Sequence, residues 1–438
     1  MSRTPMSRTP MSRPFHRAAP LLALALLAPL AGTASAQAAD PATSVVPYPI
    51  DSSNQAGWWS PVATYKGAGT YTYFAFNEPA ADEGRHRVAV ARRAPSGEWS
   101  KLPVRQGDGK QAEYADDVGH NQPSVARDGS GRLHVFASMH NDTWRYFRSA
   151  APGSGPGEPV NHAADMPDQG KGITYPVVTT APNGDLYLAA RVDTSGSARH
   201  GGLYHWDDSA SKWSKVADFA GAADRSVYPD DIQVDANGRV HLLFEWASYP
   251  ASVHRHQLSY LRYDPADGTF RDSAGTREQA PVTPATADTV QPATEGERWT
   301  SDPAYTGPAV QSAKLALDGS GPKVAYRYRH AGSEGRFDVR YGYLRDGRWA
   351  RQTVHAGSQT RAALGITWDE QDGKHVYFAK SAGTDRAYAA TESGGEWAAA
   401  SVAPGVPVER LAVRRDADGG DVLYLVDIEG RRLHYARR

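Results

Sequence analysis

The feature that most constrains the fold of this chain is a pattern that recurs seven times, in units of roughly 40–50 residues each. Each copy has an alternating apolar run, a tight glycine-containing turn, a second run and an aromatic third run, which predicts antiparallel strands. Four-stranded units repeated in this way are typical of propeller blades, so the sequence predicts an all-β, seven-bladed β-propeller. The seven copies begin with SPVATYKGAGTYTYFAFNE, QPSVARDGSGRLHVFASMH, YPVVTTAPNGDLYLAAR, YPDDIQVDANGRVHLLFEW, SAKLALDGSGPKVAYRYRH, LGITWDEQDGKHVYFAK and RLAVRRDADGGDVLYLVD.

The last copy lacks a fourth strand, and a segment near the N-terminus is well placed to supply it. Residues 43–50, TSVVPYPI, would close the ring and so remove exposed sheet edges. A β-sandwich is an alternative all-β fold, but it does not explain the regular spacing of the turns. Residues 273–306 interrupt the rhythm and are rich in Pro, Thr and Ala. They form either a loop over one rim or a disordered linker.

The first 36 residues have the organisation of a secretory signal peptide. The basic start MSRTPMSRTPMSR precedes the apolar run APLLALALLAPLAG, and Ala34 and Ala36 then form an A-x-A arrangement. The apolar run is too short to span a bilayer comfortably, and no later run is long enough. We therefore expect residues 37–438 to form a single catalytic propeller domain, secreted or periplasmic, monomeric and without a membrane partner.

Charge and cysteine content exclude several function classes. The signal peptide carries four arginines and no acidic residue, so its removal changes the formal net charge from −1 to about −5. A nucleic-acid binder would show a basic face, so we expect no nucleic-acid partner. The chain has 0 cysteines, which excludes disulfides, thiolate metal sites and a cysteine nucleophile. An anionic substrate would have to be attracted by a local basic site.

Two histidines on the second copy are predicted to meet at one rim of the propeller. The first two strands of a blade are antiparallel, so residues equidistant from their turn return to the same end. His120 and His140 lie about ten residues on either side of the Gly129–Ser130 turn. The same operation on the third copy pairs Tyr175 with Arg191. We expect these four side chains to converge on a cleft at the channel mouth, where ligand pockets commonly lie.

Other copies bring further side chains to the same predicted rim. The structural alternative is that His120 caps a strand, that the Tyr-Pro at Tyr175 is a strand-entry device, and that Arg191 forms an ion pair with Asp193 or Asp165. The convergence of two imidazoles, a phenol and a guanidinium favours the functional interpretation. The additional rim residues are Trp59 and Asn77 from the first copy, Tyr228 from the fourth, and Arg329 and His330 from the fifth.

Histidine, tyrosine and arginine together suit removal of a proton next to a carboxylate. Arginine neutralises the carboxylate with a planar, bidentate contact and lowers the cost of the developing enolate. Histidine exchanges protons near neutral pH, and tyrosine, with a pKa of about 10, can donate one. Such a set can remove the C5 proton of a uronic acid and protonate the departing O4. The predicted chemistry is therefore β-elimination in an acidic polysaccharide.

The segment HNQPSVARDGSGRLHVFASMHNDTWRYFRS resembles the BNR-type repeat of propeller polysaccharide lyases, such as ulvan lyases and rhamnosyl-glucuronate lyases. The opening GWWSPVA, residues 57–63, also resembles the first blade of these proteins. Members carry two histidines about twenty residues apart on one blade, and a tyrosine and an arginine about sixteen apart on the next. His120 and His140 match the first spacing, and Tyr175 and Arg191 match the second. The similarity extends over most of the chain after the signal peptide.

The resemblance implies roles for these residues. Arg191 would neutralise the uronate carboxylate with help from Asn121 or His140, while His120 and Tyr175 would share the base and acid roles. We favour His120 as base. The fourth copy lacks the arginine that relatives place there, so Tyr228, Tyr249 or Arg255 would replace it. No cofactor is required; a structural calcium, which some relatives bind, is left open, although no compact carboxylate loop is present.

Two other functions fit a propeller. A glycoside hydrolase would need paired carboxylates, and a sialidase would also show the S-x-D-x-G-x-T-W turn, of which only SGEW, DGRW and GGEW are found. A non-catalytic carbohydrate-binding propeller could use its aromatic residues for stacking, since fold alone does not prove activity. The carboxylates that could serve a hydrolase are Asp116, Asp117, Asp230, Asp231 and Glu245.

Overall fold

The computed structural model describes residues 43–117, 119–151, 156–359, 363–370, 373–380 and 386–438. The chain divides into a unit Met1–Ala39 and a unit Asp40–Arg438, and every described residue lies in the second. The predicted signal peptide, residues 1–36, lies outside the described residues. No helix in the described part of the chain is long and apolar enough to cross a membrane.

The described residues form strands throughout, with one short 3-10 helix at Ala163–Asp165. In the first half the strands are β1 (Ser44–Val45), β2 (Val62–Lys66), β3 (Thr70–Pro79), β4 (Arg85–Arg93), β5 (Trp99–Pro103), β6 (Glu113–Ala115), β7 (Ser124–Arg127), β8 (Leu133–Phe136), β9 (His140–Asp142), β10 (Tyr146–Arg148), β11 (Val160–Asn161), β12 (Ile173–Thr180), β13 (Leu186–Asp193), β14 (Ala198–Asp207) and β15 (Lys212–Ala220). In the second half they are β16 (Arg225–Val234), β17 (Val240–Ser248), β18 (His256–Asp264), β19 (Thr269–Arg271), β20 (Arg277–Glu278), β21 (Asp288–Gln291), β22 (Ala309–Asp318), β23 (Gly321–Arg329), β24 (Phe337–Arg345), β25 (Arg348–Gln359), β26 (Leu364–Asp369), β27 (Gly373–Lys380), β28 (Arg386–Ser393), β29 (Glu396–Ser401), β30 (Arg410–Arg415), β31 (Asp421–Asp427) and β32 (Arg432–Arg437).

The described strands form six hydrogen-bonded sheets, in which seven antiparallel units arranged in a ring can be distinguished, because the eleven-stranded sheet joins two units through β14 and β16. The units are β2–β5 with β6, β7–β8–β10–β11, β12–β15, β16–β19 with β20 and β21, β22–β25, β26–β29, and β30–β32 with β1. The first strands of successive units contact one another in order, and β30 of the last unit contacts β2 of the first. This closed circuit is the architecture of a propeller, and it confirms the predicted all-β fold class.

Alternating apolar residues explain why the units stack. Each sheet buries residues on both faces, so the core is a series of layers between neighbouring blades. One layer joins the first blade to the last and includes Phe74, Phe76, Tyr424 and Tyr435. Burying such aromatic side chains contributes roughly 2–3 kcal/mol each, which fixes the angle between adjacent blades.

Glycine allows the hairpin turns of the second and third blades to touch. Gly184 has φ +92°, a conformation that other residues rarely adopt. A Cβ atom there would also lie 2.6 Å from the Cα of Gly129, whose N–H donates to the Gly184 carbonyl at 2.8 Å. The N-G and D-G turns of the repeat therefore serve both to reverse the chain and to join neighbouring blades.

The ring is closed by β1, which pairs with β32 through Ser44 opposite Tyr435 and Val45 opposite His434. The 273–306 segment is folded against the fourth blade, as a loop and not as a disordered linker. Its strand β21 pairs with β18, and Val290 is fully buried. Farther along the segment, Glu297 binds His256.

Candidate active site

His120 and His140 lie face to face. Their ring centroids are 3.6 Å apart and the planes differ by 10°. His120 lies in a turn before β7, and the chain leaves the second blade after β8, so that His140 begins the short strand β9. That strand pairs with β12 of the third blade, where His140 lies opposite Thr174. The second histidine is therefore placed between two blades, next to the tyrosine of the third.

One carboxylate holds both imidazoles. Asp117 Oδ1 lies 2.7 Å from Nδ1 of His120, and Oδ2 lies 2.5 Å from Nδ1 of His140. Partial burial acts to raise the pKa of Asp117, but the hydrogen bonds from the two histidines outweigh it and lower the pKa. Burial lowers the pKa of His120, and the charges of His140 and Arg191 lower it further, against the opposing effect of Asp117. His120 is therefore a neutral imidazole at neutral pH.

Tyr175 is held in an uncommon backbone conformation. Its φ is +55°, and the pairing of β12 with β13 shifts between Thr174 and Val177, which is a β-bulge. Bulges and left-handed residues at such positions re-aim a side chain, and they cluster at functional sites. The phenol ring is 3% exposed, with its centroid 5.8 Å from that of His120 and 5.5 Å from that of Trp59.

Arg191 points into the same cluster from β13, where it pairs with Thr174. Its Nη2 donates to Asn141 Oδ1 at 2.9 Å and to Thr174 Oγ1 at 3.2 Å. The guanidinium carbon lies 4.9 Å from the centre of the Tyr175 ring. The buried Nε has no hydrogen-bond partner among the described residues. The guanidinium is thus fixed through Nη2, while its Nε is buried without a partner among the described residues.

A second tyrosine and a second arginine complete the cluster. Tyr228 on β16 pairs with Glu245, and its ring centroid lies 5.3 Å from that of Tyr175. The Arg255 guanidinium carbon is 3.8 Å from the centre of the Tyr228 ring, and that of Arg191 is 4.8 Å away. Arg255 is held in place by Nη1, which donates to the Ser252 carbonyl at 2.5 Å.

The two phenols differ in their acidity. Burial raises the pKa of Tyr175, although the charges of Arg255 and Arg191 oppose it. For Tyr228, burial also acts to raise the pKa, but the charges of Arg255 and Arg191 outweigh it and lower the pKa. Tyr175 is therefore the protonated phenol of the pair, and Tyr228 is the one that ionises more easily.

The other residues predicted for this rim have different neighbours in the structure. Trp59 packs with Tyr175, Tyr228 and Ala247 in one buried group. Arg329 binds the carbonyls of Gly307 and Tyr305 and the ring of His254.

His330 is half exposed and lies 3.9 Å from Asp338. Asn121 is 2% exposed; its amide donates to the Ala115 carbonyl, and its own carbonyl accepts from Asn77. The proposed roles of these residues in substrate binding stay predictions.

Sequence reasoning did not assign Asp117 and Asn141 to this site. Asp117 was considered only as a hydrolase carboxylate, although its position three residues before His120 is a usable signal for a histidine partner. Asn141 follows His140 directly, and its φ of +57° turns the side chain towards Arg191. In the structure Asn141 contacts Arg191, whereas the prediction that Asn121 helps Arg191 to neutralise the substrate carboxylate stays untested.

The carboxylates that a hydrolase would use lie in different environments, and both carboxylate oxygens of Glu245 are buried without a hydrogen-bond partner among the described residues. Asp230 and Glu245 are fully buried. Burial raises the pKa of Glu245 to about 8 and that of Asp230 well above its ordinary value, the latter aided by Glu245. Asp231 accepts from the backbone N–H of Leu315. Asp116 binds the buried His86.

Two groups in the described residues have atoms arranged closely enough to hold a metal ion, with all ligand atoms within 4.8 Å of one another. In the first, Asp117 accepts from both imidazoles. In the second, His86 binds Asp116 at 2.8 Å, and its other ring nitrogen lies 2.7 Å from the hydroxyl of Ser138. The groups are Asp117, His120 and His140, and Asp51, His86 and Asp116.

The closed ring of β-sheets defines a β-propeller, and the His–Tyr–Arg cluster lies between two of its blades. The same architecture is found in solved polysaccharide lyases. The crystal structure of polysaccharide lyase Uly1 matches with a TM-score of 0.59 and 14% identity, over 90% of each chain. A PL25 ulvan lyase matches with a TM-score of 0.60 and 15% identity, over 88% of this chain and 96% of that one. Its structure bound to -[GlcA(1-4)Rha3S]- matches with a TM-score of 0.59, 15% identity and the same coverage.

The chain belongs to the BNR repeat-containing family, whose model matches residues 71–403. This confirms the family resemblance read from the repeats. The structural likenesses, at 14–15% identity, establish the fold. A comparison with curated protein sequences finds no match.

Proposed function

We propose that the protein is a polysaccharide lyase that cleaves uronic-acid-containing chains, of the ulvan or rhamnose-glucuronate type, by β-elimination. The observation that carries this proposal is the convergence of His120, Tyr175 and Arg191 in one buried cluster, with an unsatisfied guanidinium donor. A base, an acid and a carboxylate-neutralising group are the three parts that elimination next to a carboxylate needs.

Arg191 would bind the uronate carboxylate. A guanidinium held by Asn141 and Thr174 pays little reorganisation cost on binding, because its orientation is already fixed. Its charge then stabilises the negative charge that spreads onto the carboxylate as the C5 proton leaves. The local positive charge of Arg191 and Arg255 would also attract an acidic polymer to a protein whose net charge is negative.

His120 would act as the base and Tyr175 as the acid. A lowered pKa keeps the imidazole neutral and able to accept the C5 proton, whereas a raised pKa keeps the phenol protonated and able to donate. The electrons of the C5–H bond form the C4–C5 double bond, the C4–O4 bond breaks, and O4 takes the Tyr175 proton. Solvent then removes the proton from His120 and returns one to Tyr175, which balances the cycle.

This mechanism assigns no step to a metal or organic cofactor, and we propose that none is required. A structural calcium ion remains a separate prediction. We further propose that the mature protein is a secreted or periplasmic monomer, since its substrate would be a polymer outside the cell.

An absorbance assay tests the proposal against its rivals. Elimination produces a double bond conjugated to the carboxylate, so ultraviolet absorbance should rise during incubation with ulvan, gum arabic, glucuronan, pectin or alginate. Release of reducing ends without that rise would indicate a hydrolase and contradict the proposal. Binding to these polymers without any product would indicate a carbohydrate-binding propeller, and it would contradict the proposal equally.

A further inference from the structure

Asp117 is the point at which the two histidines are joined. Its two oxygens accept separately, Oδ1 from His120 at 2.7 Å and Oδ2 from His140 at 2.5 Å. The stacked rings present their Nδ1 atoms on the same side, so a single side chain reaches both. The backbone adds to this arrangement, because the N–H of His120 donates to the Asp117 carbonyl at 2.8 Å.

An ionised carboxylate accepts hydrogen bonds and donates none. Each Nδ1 that faces Asp117 must therefore carry the proton, which leaves the Nε2 of each neutral ring with its lone pair. A histidine without such a partner exchanges between two tautomers, and only one of them places the lone pair on Nε2.

We propose that Asp117 is a positioning residue that holds His120 and His140 together in the Nδ1-protonated tautomer, so that Nε2 of His120 is the proton-accepting atom of the site. The proposal rests on the proposed function only where it names His120 as the base. The tautomers themselves are a property of the resting protein.

Because His120 and His140 share one carboxylate, the number of protons that the two histidines can hold together is limited. Two imidazolium rings at 3.6 Å would repel each other strongly, and one anion can offset a single positive charge. Once His120 takes the substrate proton, Asp117 and the new imidazolium form a neutral pair. Arg191 disfavours a second proton, because its charge also acts on His120.

A carboxylate–histidine pair on the same blade provides a matched control. Asp128 lies 3.1 Å from Nε2 of His134, whose Nδ1 lies 2.8 Å from the hydroxyl of Tyr146. His134 is fully buried, and both of its nitrogens are engaged. It has the same type of partner as His120 but no nitrogen left to accept a proton, so its pair is structural.

Nitrogen-15 NMR of histidine-labelled protein tests the tautomers directly. In the wild-type protein at neutral pH, His120 and His140, assigned with His120→Gln and His140→Gln, should both show protonated Nδ1 and unprotonated Nε2. In Asp117→Asn at least one ring should change tautomer, because an amide offers one acceptor and one donor in place of two acceptors. Asp128→Asn should leave both rings unchanged.

Kinetics separate positioning from a merely structural role. Asp117→Asn should lower kcat roughly 10²–10⁴-fold with little change in KM. It should also move the acidic limb of the kcat/KM profile to lower pH, because the anion that raises the pKa of His120 has been removed. Asp128→Asn should keep both kcat and the profile.

The proposal is overturned if wild-type His120 or His140 carries its proton on Nε2, or if Asp117→Asn keeps the wild-type tautomers and pH profile. It is also overturned if the isolated protein holds a divalent ion on Nδ1 that Asp117→Asn loses. A protein that is inactive on every polymer but shows the expected tautomers would contradict the proposed function and leave the positioning role of Asp117 intact.

Discussion

Arg255 lies over the ring of Tyr228, with its guanidinium carbon 3.8 Å from the ring centre, while Arg191 approaches the same ring to 4.8 Å. Two cations beside one phenol favour the phenolate, whereas Tyr175, 5.3 Å away between ring centroids, stays protonated because burial dominates there. The site thus contains two tyrosines of different acidity, although Arg255 and Arg191 act on the pKa of both.

Replacing Arg255 by Gln should raise the pKa of Tyr228, because the larger of the two charge effects on its phenolate is lost. The measurement is a pH titration of ring-carbon NMR signals in tyrosine-labelled protein, with Tyr228→Phe to assign the resonance. Arg92→Gln is the matched control, since Arg92 lies 4.8 Å from the ring of Tyr71, another arginine–tyrosine pair. An unchanged Tyr228 titration in Arg255→Gln would show that the arginine does not set its acidity.

Removing either proton-transfer group should abolish elimination. His120→Gln and Tyr175→Phe should each lower kcat by roughly 10²–10⁴-fold, because one proton transfer then loses its catalyst. The control variant is His134→Gln, which changes a histidine of the same blade outside the cluster. This variant should keep wild-type activity. Ultraviolet absorbance gives the rates, and circular dichroism checks the fold. Full activity in both His120→Gln and Tyr175→Phe would refute the assignment of these residues.

Arg191→Lys should lower kcat/KM by roughly 10–100-fold, although the positive charge is retained. A lysine cannot bind Asn141, Thr174 and a carboxylate in one plane, so it loses the fixed geometry of the guanidinium. Asn141→Ala should weaken catalysis in the same direction by loosening Arg191.

Arg414→Lys serves as the control for this pair of variants. The hydrogen bonds that the described structure shows for Arg414 go to Thr179. None of them reaches His120, His140, Tyr175 or Arg191, so Arg414→Lys should behave as wild type. Equal losses in Arg414→Lys and Arg191→Lys would show that the loss does not depend on the contacts of Arg191 with Asn141 and Thr174.

His134 predicts how stability depends on pH. Burial lowers its pKa from 6.5 to about 4, so the folded protein binds fewer protons than the unfolded chain over that interval. Folding stability should be complete above pH 6.5 and should fall as the pH drops towards 4. Denaturant unfolding at several pH values measures this. His134→Gln should remove this contribution to the pH dependence, and an unchanged slope would show that His134 does not cause it.

Asp128 affects folding stability in a separate pH range. Burial acts to raise its pKa, but the hydrogen bond and charge of His134 outweigh this and lower the pKa from 3.8 to about 2. The stability that Asp128 contributes should therefore be present above pH 3.8 and lost as the pH falls from 3.8 towards 2.

Chelation should leave elimination unchanged, because the proposed steps use only side chains. Dialysis against EDTA, followed by the absorbance assay, measures this, with metal analysis of the protein before and after. Lower thermal stability with unchanged kcat would fit a structural calcium ion. Loss of kcat that returns on adding a divalent metal would contradict the proposed mechanism.

The repeats made the fold predictable. Glycine turns at regular spacing and alternating apolar residues determine antiparallel blades locally, and seven copies leave few arrangements other than a ring. The meeting of His120 with His140 also followed from hairpin symmetry.

Hairpin symmetry does not predict that β8 ends at Phe136. It also does not predict that His140 lies on a separate strand, β9, which pairs with the third blade. The move from the second blade to the third depends on local backbone conformations, including φ +55° at Ser138, that no periodic pattern encodes.

The remaining site residues depend on contacts between blades. Asp117 reaches the cluster from a loop and Asn141 from the short strand β9. Arg255 was one of three candidates from the fourth copy, but the sequence did not distinguish it from Tyr228 and Tyr249. Arg255 in particular is set by the Ser248–Arg255 loop, whose Ser252 binds the Thr300 carbonyl of the long segment at 273–306. Such positions follow from tertiary packing and so required the structure.

The pairing of Ser44 with Tyr435 joins positions roughly 390 residues apart. The final sheet therefore stays incomplete until both ends of the polypeptide are present. A nascent or truncated molecule would be an open arc with an uncovered hydrogen-bonding edge, at risk of joining other molecules instead of itself. Closing the toroid is therefore also what protects that edge.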